Sequence, residues 1–228
     1  MGQPDKADRL KRTTAPAAVN VGPGLAHRLP PGQMLTERFP ILHEGEVPVY
    51  GSGGWSLRVF GEVARERTLS LEQLQAMPRT KLVCDIHCVT RWSKFDTAWE
   101  GVRFRDFLAA AGVEARPQVR HVMIHADNGY ETNVPLADLM RDDVLLAWSY
   151  DGKPLTPKHG YPLRLVVPHL YFWKSAKWVR GIEFMKEDRP GFWERSGFHN
   201  EADPFAEQRF SGEALPIPED EWERKDFD

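Results

Sequence analysis

Hydrophobic periodicity in this chain switches between strand-like and helical without any regular alternation, and that irregularity is what most limits its fold. Trp55-Ser56-Leu57-Arg58-Val59 alternates apolar and polar residues, the period of a half-buried strand. Ser70 with Gln73 three residues on is a capping box, followed by Leu71, Leu74 and Met77 at helical spacing and closed by Pro78. Residues 81–86 predict a buried strand, and residues 102–111 a helix with Gly112 as its C-terminal cap. Residues 121–125 and 130–134 predict paired strands around Asp127-Asn128-Gly129. Residues 144–150 form another strand before the Asp151-Gly152 turn, and 163–167 and 178–184 two more. About seven strands and three short helices in this order favour a mixed α+β domain over a doubly wound sheet.

The apolar pattern also sets the domain limits. Residues 1–34 are polar, rich in Pro, Gly and basic side chains, and read as a tail; 35–190 form the domain; 191–228 read as an extension packed over it. A net charge of -3 gives no global field for nucleic acid, and no run approaches the roughly 20 apolar residues of a membrane span. No secretory signal is visible at Met1-Gly2-Gln3-Pro4, so the chain as it stands reads as cytoplasmic. There is no Gly-rich phosphate loop and no nucleophile elbow.

Both cysteines lie in Cys84-Asp85-Ile86-His87-Cys88-Val89-Thr90-Arg91-Trp92-Ser93. On an extended strand they stand about 13 Å apart at roughly 3.3 Å per residue, too far for a disulfide. Cys84 sits inside the apolar run and reads as a core group. Cys88 sits where the run gives way to Arg91, and a guanidinium there should favour its thiolate. A zinc site from Cys84, His87 and Cys88 lacks a second ligand pair, and a nucleophilic cysteine lacks a recognisable histidine partner. A second cluster spans 158–178, where Lys158, His159, Arg164, His169, Lys174 and Lys177 interleave with Tyr161, Tyr171, Phe172, Trp173 and Trp178. Cations set among aromatics suit the wall of a pocket for a planar, hydrogen-bonding anion.

Together the two clusters resemble the molybdopterin-binding domain of the sulfite oxidase superfamily, most closely its small bacterial branch. The resemblance rests on Cys88-Val89-Thr90-Arg91-Trp92-Ser93, on Gly160-Tyr161-Pro162-Leu163-Arg164, and on Tyr171-Phe172-Trp173-Lys174-Ser175-Ala176-Lys177, over roughly residues 35–210. It implies a mixed, barrel-like β core with short helices and a molybdenum–molybdopterin cofactor. Cys88 is then the protein thiolate on the metal, beside the pterin's two dithiolene sulfurs. His159, Arg164, Ser175, Ala176 and Lys177 would hold the pterin, with Lys174 close by and His43, His125 and Ala126 at further contact positions. Tyr171 would face the open side of the metal, with Arg91 near the substrate.

Two departures matter. Ser93 stands where animal and plant sulfite oxidases carry the arginine that holds sulfite, which counts against a sulfite substrate; His159 stands where the periplasmic reductase of the bacterial branch has asparagine. The implied activity is oxygen-atom transfer to or from a small substrate, sulfur compounds among them, with electrons exchanged through an external partner because the chain shows no haem, flavin or iron–sulfur motif. The rival is a non-catalytic anion-binding module that retains the fold.

Overall fold

The computed structural model describes residues 21–211 apart from 23, 52 and 53. Most of the predicted tail and the end of the C-terminal extension lie outside the described residues.

Eleven strands are described: β1 (Met34–Leu35), β2 (Ser56–Gly61), β3 (Arg67–Ser70), β4 (Thr80–His87), β5 (Trp92–Arg103), β6 (His121–Ala126), β7 (Glu131–Pro135), β8 (Leu145–Tyr150), β9 (Lys153–Pro154), β10 (Arg164–Val166) and β11 (Val179–Met185). The first sheet runs β1-β5-β8-β10, with β4 on β5 and β9 on β8; the second runs β3-β2-β11-β6-β7. Both are mixed: β1 is parallel to β5 and β11 parallel to β2, among otherwise antiparallel pairs. Each sheet runs from edge to edge without closing, so the barrel-like core takes the form of two open sheets on a shared apolar layer. Leu57, Val122, Ile124 and Ile182 of the second sheet meet Leu146, Trp148 and Leu165 of the first there.

Three differences from the sequence reading have local causes. β5, twelve residues long, escaped notice because its period is broken: pairing with β4 shifts between Cys84 and Ile86, pairing with β8 shifts between Glu100 and Gly101, and Asp96 adopts φ 54°. Predicted as buried, β4 is an edge strand buried only from Ile86 on, and Val83 is 64% exposed. The helix expected from 102 begins at Phe104, because Val102 and Arg103 pair with Leu146 and Leu145. The capping box forms as read: Ser70 Oγ accepts from Gln73 N at 3.3 Å, and Gln73 Oε1 accepts from Ser70 N at 2.8 Å.

Strand alternation decides what faces the site. Along β8 and β10, Leu146, Trp148 and Leu165 point into the shared core, while Leu145, Ala147 and Val166 enter a second cluster on the other face. Arg164 shares that second face with Trp99, Phe39 and Phe172. Gly101 lets β5 and β8 approach at the bulge, since a Cβ there would lie 2.1 Å from the Leu146 carbonyl oxygen.

A cleft lined by a thiol and unpaired cations

β4 and β5 are joined by a tight hairpin that carries Cys88. Arg91 N donates to Cys88 O at 3.0 Å, Cys88 N donates to Trp92 O at 2.8 Å, and Arg91 takes φ 72°. This is a turn closed by a left-handed residue, a position that usually selects Gly or Asn. The turn directs Cys88 and Trp92 into a cleft of about 1060 Å³ counted out to solvent, together with His43, His159, Arg164, Ser175, Ala176 and Lys177. Seven of the positions expected from three separate stretches line this one cleft, and Trp178 of the expected aromatic wall joins them; Phe39, Tyr130 and Trp193, which complete the walls, carry no signal in the sequence beyond being aromatic.

Two basic side chains, Arg164 and Lys177, stand in an otherwise largely apolar and aromatic cleft wall. Arg164 is 1% exposed and, among the described residues, has no carboxylate partner. Its Nη1 and Nη2 donate to the carbonyls of His159 at 3.0 Å and Ser175 at 3.1 Å, its Nε is buried with no acceptor, and the guanidinium lies over Phe172, Trp99 and Phe39. Burial holds its pKa down to about 9. Lys177 donates to Lys158 O at 2.8 Å; burial first, then the Arg164 charge, brings its amine down to about 7. The imidazoles of His43 and His159 are also lowered, chiefly by burial and then by Lys177 and Arg164 respectively. His43 Nδ1 donates to Gly45 O at 2.9 Å, which leaves Nε2 as the acceptor nitrogen of its neutral form. His159 Nε2 and Trp92 Nε1 are buried without partners.

The Cys88 thiol is buried, and burial raises its pKa; Thr90 Oγ1 donates to the sulfur at 3.1 Å, and the charges that pull it back down belong to Arg209 and Lys177. The expected stabilisation by Arg91 is therefore corrected. The left-handed turn sends Arg91 to the outside, where Nη1 lies 3.5 Å from Gly32 O. Ser93 also points away, with Oγ 2.8 Å from His87 Nδ1. Cys84, His87 and Cys88 do not converge, and among the described residues no group of three His, Cys, Asp or Glu side chains could hold a metal by itself.

Four other candidates stand outside the cleft lining. Tyr171 is buried beside Cys88 in a separate apolar cluster, stacked on Trp173 at 5.3 Å, with its Oη unpartnered. Lys174 is buried against Glu194 at 2.6 Å and donates to Asn133 O at 2.7 Å. His125 is held between Glu131 at 3.0 Å and Glu183 at 2.9 Å on the second sheet, and Ala126 pairs with Val179 at the end of β6.

The donor set fits a molybdopterin. A buried guanidinium without a carboxylate, a half-buried lysine, partnerless N–H groups and flat aromatic walls suit a planar group carrying phosphate, and a soft sulfur stands at the same cleft.

Residues 44–193 match the family described as oxidoreductase molybdopterin binding domain, and the chain belongs to it. It is a molybdopterin-dependent oxidoreductase of the sulfite oxidase type, with a molybdenum cofactor. The chain is 51% identical to the uncharacterized oxidoreductase YuiH of Bacillus subtilis over 81% of this chain and 92% of that one. It is 27% identical to a putative protein-methionine-sulfoxide reductase subunit, YedZ1, of Azospira oryzae, over 74% of this chain and 64% of that protein. Human mitochondrial sulfite oxidase is 28% identical over 87% of this chain, which spans only 40% of that enzyme. The sulfane dehydrogenase SoxCD of Paracoccus pantotrophus has the same fold at a TM-score of 0.54, with 23% identity over 63% of this chain and 40% of that one. Among the described residues no helix is long and apolar enough to cross a membrane.

Proposed function

We propose that Cys88 is the protein ligand of the molybdenum and that the enzyme moves an oxygen atom to or from a small substrate, exchanging electrons with an external partner. The observation that carries this reading is a buried thiol in one cleft with a buried guanidinium and a half-buried lysine, neither of which has a carboxylate partner among the described residues. When bound, the cofactor supplies two-electron redox chemistry and oxygen-atom transfer.

The chain's own residues do the rest. Arg164 offers a fixed guanidinium with a free Nε, and Lys177 takes up a proton to meet an anion. His43 and His159 stay neutral near pH 7 because burial and the neighbouring cations lower their pKa values, and with Nδ1 held by Gly45 O and by Thr156 Oγ1 respectively, each has one remaining ring nitrogen, Nε2, to offer a heterocycle edge, an acceptor in His43. Phe39, Trp178 and Trp193 wall the group from water. Sulfite is not favoured as substrate, because neither Ser93 nor Arg91 reaches the cleft.

The test is elemental analysis of protein made in a molybdopterin-competent host, followed by turnover of small sulfoxides and other oxo-acceptors with an artificial electron carrier. Near-equimolar molybdenum with turnover is expected. Protein that carries neither metal nor pterin under these conditions would instead support the non-catalytic anion-binding module.

A further inference from the structure

Two buried polar side chains that the cofactor cleft does not use converge on the Cys88 turn from opposite ends of the chain. Gln33 Nε2 donates to Cys88 O at 2.9 Å, and Arg209 Nη1 donates to Val89 O at 2.9 Å. Each residue is 4% exposed. Arg209 Nη2 also donates to Pro31 O at 3.0 Å, so the guanidinium ties the N-terminal segment to the turn, while the Glu207 carboxylate lies 3.5 Å from its Nε. Gly32, at φ +66°, permits this crossing: a Cβ there would lie 2.8 Å from Arg91 Nη1.

Neither residue lies within the span 44–193 that matches the family domain. A carbonyl in a tight turn needs no buried guanidinium or amide when water can reach it. Burying both donors here has a cost unless the bonds are made.

We propose that Gln33 and Arg209 are positioning residues that brace the Cys88 turn, so that the geometry of the thiol depends on both terminal segments. This rests on the reading of Cys88 as metal ligand for its functional meaning, but the brace itself is a property of the apo chain. The bonds to the two carbonyls hold the turn closed; without them the turn opens more often and exposes the thiol.

The experiment measures the rate at which a disulfide reagent labels Cys88 in cofactor-free full-length protein in a Cys84→Ser background. Gln33→Leu and Arg209→Gln are each expected to speed labelling about tenfold, the scale set by losing one buried hydrogen bond, with rates expressed per thiolate from a pH series because Arg209→Gln also removes a charge that favours the Cys88 thiolate. Arg209→Lys is expected to restore part of the protection, because an ammonium still donates to one carbonyl. Urea unfolding of the same samples gives global stability, and a gain in labelling beyond the loss in global stability marks local opening of the turn. In metal-loaded protein the same variants should shift the sulfur-to-metal absorption band without lowering metal content. The proposal is overturned if labelling stays within twofold of the parent in both Gln33→Leu and Arg209→Gln, or if it rises only in step with global unfolding. Parent protein that takes up no molybdenum would sink the ligand reading instead, and the labelling comparison still decides the brace.

Discussion

Lys177 shows how single residues in the cleft are set for an anion. Burial and Arg164 bring its amine to about 7 from the usual 10.5. Between those values the unfolded chain holds the proton and the folded chain does not, so the apo fold gains stability as pH rises from about 7 to 10.5 and loses it on the way down. An anion seated at the amine reverses the preference and draws the proton back in. Sulfate, whose own charge is fixed over this range, should therefore bind with proton uptake, weakening by up to about tenfold per pH unit above 7. Titration calorimetry in buffers of different ionisation heat checks this, and Lys177→Ala should flatten the pH dependence. At this scale the sequence was most informative: Cys88, Arg164 and Lys177 could be picked out as chemistry-bearing because their residue types are unusual beside apolar runs. Arg91, expected to favour the Cys88 thiolate, does not do so, for a reason invisible in the sequence. The positive φ at Arg91 turns its side chain outward and sends Ser93 to His87.

Among elements, the segment 172–177 depends on a buried ion pair below it. Lys174 and Glu194 are both essentially inaccessible, and Trp173 Nε1 donates to Glu194 Oε1 at 2.9 Å, so the short helix Phe192–Arg195 fixes the turn that precedes Ser175 and Lys177. Lys174→Met leaves an uncompensated buried carboxylate and should cost about 3–5 kcal/mol in urea unfolding. Adding Glu194→Leu should recover much of that loss, since a buried pair can often be replaced by apolar side chains of similar volume. The bulge in β5 gives a second test. Gly101→Val drives a side chain into the backbone of Leu146 and should destabilise by roughly 1–3 kcal/mol or more, read from the same unfolding curves. β6, β7, β8 and β11 are legible as short apolar runs bounded by turn residues, even though β8 is buried on both faces and β11 carries a register shift between Val179 and Gly181. β5 was not, because its two register shifts and charged residues erase the alternation that marks a strand.

For the whole molecule, the cleft lies where three chain stretches distant in sequence meet: the loop bearing Phe39 and His43, the Cys88 hairpin, and the segment from His159 to Trp178. The fold class followed from the order of strands and short helices, but nothing in residues 21–35 or 196–211 signalled that Gln33 and Arg209 would be buried against the site. Isolated polar residues in polar segments carry no period to betray burial. The central claim is that Cys88 is bound to the metal, and X-ray absorption at the molybdenum edge tests it most directly. With the pterin supplying two sulfurs, the parent protein and Cys84→Ser should each show about three sulfur scatterers on the metal, and Cys88→Ser should show about two. An unchanged sulfur count in Cys88→Ser, at equal metal content, would contradict the account.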